Sequence, residues 1–180
     1  MSAAPRKRAV FLDRDGVLIH AIVRDNKPFA VTALDQVRLI EGVAEACAKL
    51  SQLGYLLILT TNQPDVARGK ISRSFVDQVN SDLAYQLKLD MVRLCDHDDK
   101  DGCNCRKPKP GLMTEPAAEL GIDLGASFVV GDRWRDVEAG QRAGCRTVFI
   151  DYGYDETLGS LPDHKAPSLL AAVDWIAQQT

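Results

Sequence analysis

Short apolar runs recur along the chain at 9–12, 55–59, 91–94, 128–130 and 147–150, rich in β-branched residues and without strict polar alternation. That pattern suits strands of a parallel sheet covered on both faces. Between the runs the period changes. Val43, Cys47, Leu50 and Leu53 recur at helical spacing, with Gly54 placed to cap the end. Ser72 is placed as an N-cap for a helix striped by Phe75, Val79, Leu83 and Leu87. Further helices are predicted over 134–143, stopped by Gly144, and over 168–178. Pro110 can open a helix reaching Leu120, but Pro116 would remove an interior hydrogen bond, so a kinked or late-starting helix is expected there. Strand and helix alternate throughout, which predicts an α/β fold: a doubly wound, Rossmann-like, mostly parallel sheet with helices on both faces.

Composition narrows the class. With 180 residues, 46% hydrophobic and 26% charged, the chain is expected to form one soluble domain over 1–180. A formal net charge of −3 argues against a nucleic-acid coat, though not against a local basic site. After Arg6, Lys7 and Arg8 the apolar stretch is cut at Asp13, too short for a secretion signal. A membrane span needs about 20 apolar residues, and no clean run exceeds the length of 55–59. A cytosolic monomer without membrane attachment is expected, in which the five cysteines serve as metal ligands or core residues rather than disulfides.

In a doubly wound sheet, ligands bind beyond the carboxyl ends of the strands. The first run ends in Asp13-Arg14-Asp15-Gly16, the second in Thr60-Thr61-Asn62-Gln63, and the fourth in Gly131-Asp132, with Asp136 beyond it. Cys105-Arg106-Lys107-Pro108 falls between the last two. Asp13, Asp15 and Asp132 are hard oxygen ligands suited to Mg²⁺. Asp13 and Asp15 can divide the work of nucleophile and general acid/base, while Lys107 and Thr61 face transferring phosphoryl oxygens. Taken singly, these residues also fit a solvated turn, a surface lysine and a hydroxyl-capped turn.

Cys95, His97, Cys103 and Cys105 offer three thiolates and an imidazole within one loop, 95–105, a donor set for a closed tetrahedral Zn²⁺ site. The loop has no apolar residue of its own to hold it, so the metal is expected to do so; free thiols beside an exposed His97 are the alternative. Cys47 and Cys145 fit core positions, and His20 and His164 read as surface or loop histidines.

These motifs, in this order over 10–136, resemble the haloacid dehalogenase superfamily of phosphotransferases: Asp13-x-Asp15, Thr61, Lys107, and Asp132 with Asp136. The resemblance implies that Asp13 forms an aspartyl phosphate, that Asp15 is the acid/base, and that Mg²⁺ binds the Asp13 carboxylate, the Asp15 main-chain carbonyl and Asp132. The zinc loop leading into Cys-Arg-Lys-Pro is similar to the branch of heptose bisphosphate phosphatases and histidinol phosphatases. It adds a phosphate-contacting role for Arg106 and matches Thr61-Asn62-Gln63 to a Thr-Asn-Gln motif, with Asn62, Gln63 and Arg133 as substrate-binding candidates. Pro64 and Asp65 replace a frequent Ser-Gly in that branch, and Val17 a frequent Thr.

Between Gly16 and Gly42 there is room for a flap hairpin near 21–37 but not for a cap domain. An open site follows, edged by Arg68, Lys70, Arg106, Lys107, Lys109, Arg133 and Arg135, of which Lys109 and Arg135 fit equally well as solvated charges. The expected reaction is Mg²⁺-dependent hydrolysis of a small sugar phosphate, foremost the 7-phosphate of a heptose bisphosphate. Histidinol phosphate and a nucleic-acid end are the enzymatic alternatives. A receiver-like or zinc-stabilised interaction module is the non-enzymatic one.

Overall fold

A computed structural model describes residues 6–179. Residues 1–5, which open the segment read for a targeting signal, and Thr180 lie outside the described residues. Strand β1 (Arg8–Leu12) is followed by the hairpin β2 (Ile22–Arg24) and β3 (Lys27–Phe29). Then come α1 (Val43–Gln52), β4 (Tyr55–Asn62), the single turn α2 (Pro64–Ala67), α3 (Arg73–Leu87) and β5 (Met91–Cys95). The chain continues through α4 (Gly111–Leu120), β6 (Phe128–Gly131), α5 (Trp134–Ala143), β7 (Arg146–Ile150), β8 (His164–Ala166) and α6 (Leu169–Gln178).

Six strands form one parallel sheet in the order β5-β4-β1-β6-β7-β8. Alternate side chains of β1 divide the core. Val10 and Leu12 pack with α1, α3 and α6, while Ala9 and Phe11 pack with α4 and α5. Both faces are therefore buried, which is why the strands read as continuous apolar runs. Cys47 and Cys145 are buried as expected, and burial pushes both thiols up to about 12.

Local signals account for the helix ends. The Ser72 hydroxyl accepts a hydrogen bond from Phe75 N, and Gly144 closes α5 at a φ of 84°. Helix α4 does not start late: it begins at Gly111, and the Pro110 carbonyl accepts from Met113 N and Thr114 N. Pro116 lies inside it, buried against the sheet, so burial offsets the missing hydrogen bond. His164 is no loop residue. It lies in the edge strand β8 and stacks on Trp175, ring centroids 4.8 Å apart and planes 4° from parallel. Three polar-to-small residues are too short a run to announce a strand, which is why periodicity missed it.

The predicted flap is β2–β3, turning through Asp25 and Asn26 at φ of 48° and 55°. Such positive-φ pairs make the tight turn whose twist matches a hairpin, and Asp and Asn tolerate it best. No helix among the described residues is long and apolar enough to cross a membrane.

Candidate active site

The sheet order places the site. The chain runs outward from β1 to β4 and β5, then returns to the other side of β1 as β6, and the crevice at this reversal lies beyond the strand carboxyl ends. Asp13 follows β1 there, its N–H donating to Val130 O at 3.0 Å. Thr61 stands within the last residues of β4, which runs on to Asn62 rather than ending before them. Asp132 follows β6. A cleft of about 290 Å³ is lined by Asp13, Asp15, Thr61, Asn62, Gln63, Arg106, Lys107, Asp132, Arg133 and Asp136. The sequence-predicted residues outside the metal loop are thus gathered in one place.

Lys107 is the electrostatic centre. Its Nζ donates to Asp13 Oδ1 at 2.8 Å, Asp136 Oδ1 at 2.6 Å and Thr60 O at 2.9 Å. An ammonium has three hydrogens, so all are engaged within the protein and the lysine acts first on Asp13. Burial alone would push Lys107 down, but the charges of Asp13 and Asp136 outweigh it and hold the ammonium firmly protonated. Burial raises Asp13 to about 7 against the pull of Lys107, with Asp136 and Asp15 adding to the rise. The second Asp136 oxygen accepts from Arg133 N at 3.0 Å, so this carboxylate is fully used in holding Lys107 and the start of α5.

Asp132 differs. Both of its carboxylate oxygens are buried without a hydrogen-bond partner. Such a group carries a desolvation cost that protein contacts leave uncompensated. Burial, then the neighbouring Asp13 and Asp136 charges, lift its carboxyl well above the usual range. Gly16 sits against it at a φ of 89°, where a Cβ would lie 2.0 Å from Asp132 Oδ2. Asp13, Asp132 and Asp136 present oxygens within 4.8 Å of one another. Hard oxygen donors, one of them orphaned, fit a divalent cation such as Mg²⁺, with Asp13 and Asp132 the available carboxylates.

Asp15 is held from three sides. Its Oδ2 accepts from Arg14 Nε at 2.9 Å and Gln63 Nε2 at 3.0 Å, and its Oδ1 from Val31 N at the base of the flap at 3.3 Å. Gln63 Nε2 also donates to Thr61 Oγ1 at 2.9 Å. Asn62 exchanges two hydrogen bonds with the main chain of Lys107, at 3.0 and 3.1 Å. Asn62 and Gln63 therefore orient the reacting groups, a role that the expectation of substrate contact did not include. Arg14 was missed altogether: fully buried, it reaches Asn80 Oδ1 at 3.3 Å. Hydrophobic periodicity carries no signal for a buried arginine.

Around the metal loop, Cys95 Sγ lies 3.7 Å from Cys103 Sγ and 3.6 Å from His97 Nδ1, and Cys105 Sγ lies 3.4 Å from that nitrogen. Ligands about 2.3 Å from a tetrahedral centre stand about 3.8 Å apart, so these spacings fit Zn²⁺. Cys95 is pushed up by burial, whereas at Cys103 burial is outweighed by hydrogen bonds from Arg106 N and neighbouring thiols that draw it down. Ion pairs also hold the loop. Asp98 accepts from Arg68 at 3.0 and 2.7 Å, Asp96 from Arg73 at 2.7 Å, and Asp99 from Arg106 at 2.7 Å. Lys109 Nζ donates to Cys103 O and Gly102 O, tying the loop down from within rather than edging the cleft. Lys70 also falls outside the lining, while Arg135, whose Nη1 donates to Lys107 O at 3.4 Å, is inside it.

Comparison with known proteins adds relatives. A family model described as HAD-hydrolase-like matches residues 104–172. The D-glycero-beta-D-manno-heptose-1,7-bisphosphate 7-phosphatase of Pasteurella multocida is 37% identical over 161 residues, covering 82% of this chain and 83% of the relative. The enzyme of that name from Vibrio cholerae is 39% identical over 158 residues, covering 80% and 81%. Among solved structures, the D,D-heptose 1,7-bisphosphate phosphatase of B. bronchiseptica, complexed with magnesium and phosphate, aligns with a TM-score of 0.82. That alignment has 30% identity and covers 96% of this chain and 99% of that one.

Proposed function

The chain belongs to the haloacid dehalogenase-like hydrolase family, and on that premise we propose that it is a Mg²⁺-dependent phosphatase removing the 7-phosphate of D-glycero-D-manno-heptose 1,7-bisphosphate. The observation that carries the reading is Asp13 held by Lys107 beside Asp132, whose two buried oxygens receive no hydrogen bond from Lys107 or any other cationic side chain. Relatives covering about four fifths of both chains share that substrate in name.

The Asp13 carboxylate would attack phosphorus, forming an aspartyl phosphate as the bond to the sugar oxygen breaks, and Asp15 would give its proton to that oxygen. Asp15 would then take a proton from water as the water oxygen attacks the same phosphorus, releasing inorganic phosphate and restoring Asp13. Lys107, at 2.8 Å, draws Asp13 toward its anionic form against the effect of burial, and Arg14, Gln63 and Val31 N would aim the acid/base. Thr61, whose Oγ1 accepts from Gln63 and which lines the cleft, would donate to a phosphoryl oxygen. Asp13 and Asp132, with the Asp15 main-chain carbonyl, would hold Mg²⁺, which offsets charge on the transferring phosphoryl group. Cys95, His97, Cys103 and Cys105 would hold a structural Zn²⁺, fixing the loop that delivers Arg106 and Lys107.

The chain would act as a single-domain monomer. Cytosolic conditions would keep the zinc thiolates reduced. A nucleic-acid substrate is disfavoured because Arg68, Arg73 and Arg106 are matched by carboxylates rather than free to follow a backbone. Replacing Asp13 with Asn should lower phosphate release by a factor on the order of 10⁴ or more while leaving the thermal midpoint in place. A variant that retains the wild-type rate would remove Asp13 from the chemistry.

A further inference from the structure

Arg133 follows Asp132 and opens α5, and its guanidinium is gripped along one edge. Arg133 Nε lies 2.9 and 2.8 Å from Glu156 Oε1 and Oε2, and Nη2 donates to the same carboxylate. Trp134 N lies 3.4 Å from Glu156 Oε2, so the acid also anchors the first turn of α5. On the other edge, Arg133 Nη1 donates to Pro28 O of the flap at 3.3 Å. The flap tip rests on the loop that carries Glu156. Asn26 Nδ2 donates to Gly153 O, and Asp155 N to Asn26 O, each at 3.0 Å.

A guanidinium has five N–H donors in a fixed plane. Glu156 takes the Nε hydrogen and one on Nη2, and Pro28 takes one on Nη1, leaving one on each terminal nitrogen. Arg133 lines the cleft together with Asp132 and the flap residues Pro28 and Phe29. With side-chain exposures of 35% and 18%, the pair is sheltered enough to fix geometry and open enough for the arginine to reach a ligand.

We propose that Glu156 is a positioning residue for substrate recognition: it clamps Arg133 against the flap so that the remaining donors meet the phosphate of the substrate that is not transferred. The inference rests on the sugar-bisphosphate reading, because a monophosphate has no second anion for Arg133 to engage. It also gives the flap a function, as one wall of that anion subsite.

The test is steady-state kinetics with heptose 1,7-bisphosphate on wild type, Glu156→Ala, Glu156→Gln, Arg133→Ala and the double variant. Glu156→Ala should raise KM about tenfold with kcat falling less than threefold, and Glu156→Gln, which keeps a hydrogen-bond acceptor, should fall between. In the Arg133→Ala background the Glu156 change should add nothing further, as expected when one residue acts only through another. A merely structural Glu156 would add its effect in both backgrounds, and that result, or an unchanged KM in Glu156→Ala, overturns the inference. Should Glu156→Ala lose its thermal transition, Glu156→Gln decides alone by the same KM criterion. An active wild type with an unaffected Glu156 variant would defeat the clamp and leave the phosphatase reading standing. A wild type that releases no phosphate from the bisphosphate would defeat both.

Discussion

Asp132 and Gly16 show how one site residue depends on another's lack of a side chain. The orphaned oxygens of Asp132 are accessible to a cation only because no Cβ projects from Gly16, which would stand 2.0 Å from Oδ2. Burial raises Asp13 to about 7 and lifts Asp132 as well, so without a cation the fold favours their protonated forms. A folded-state value above the unfolded one, near 3.8, contributes stability that is complete below that value and lost as pH rises through about 7. Metal-free protein should therefore lose stability from Asp13 between about pH 4 and pH 7, and Mg²⁺ should restore it. Thermal midpoints with and without saturating Mg²⁺ should show a larger gain near pH 8 than near pH 5, and Gly16→Ala should abolish the gain at both. Equal gains at the two pH values would contradict this electrostatic reading.

Much of the site was legible at the same scale. Asp13, Asp15, Thr61 and Asp132 each follow or end a strand-like run, and a parallel sheet brings such positions to one rim, whereas Lys107 was legible only as part of the Cys-Arg-Lys-Pro run. What was not legible were the partners. Asn80 on Arg14 and Glu156 on Arg133 are counterparts set by how distant segments fold together, and no spacing records that.

Among elements, the helices with a strong stripe and a capping residue, α3 and α5, stand where the pattern put them, with α5 at the predicted bounds. The pattern failed where elements are short: β8 has three residues and α2 four. The metal loop 95–105 was readable from its ligand types, yet its ion pairs with Arg68, Arg73 and Arg106 were not, because those arginines come from separate elements. Burial protects Cys47 and Cys145, while Cys95, Cys103 and Cys105 converge with His97. A thiol-alkylating reagent should thus label no cysteine in metal-loaded native protein, Cys95, Cys103 and Cys105 after zinc chelation, and all five cysteines only after denaturation. Mass spectrometry of the labelled chain reads this directly. Labelling of Cys103 and Cys105 at full rate before chelation would count against zinc.

For the whole molecule, a net charge of −3 conceals an acidic centre beside arginines that are already paired with carboxylates. The cleft is thus pre-organised for an anion rather than broadly basic. The β2–β3 hairpin, the carboxyl ends of β1, β4 and β6, and the Arg106-Lys107 segment together wall the cleft. The most direct measurement of the account is phosphorus NMR of heptose 1,7-bisphosphate incubated with the protein and Mg²⁺. Wild type should release one equivalent of inorganic phosphate, leaving the heptose 1-phosphate, and Asp13→Asn should leave the bisphosphate intact. Loss of the 1-phosphate instead, or no release by the wild type, would contradict it.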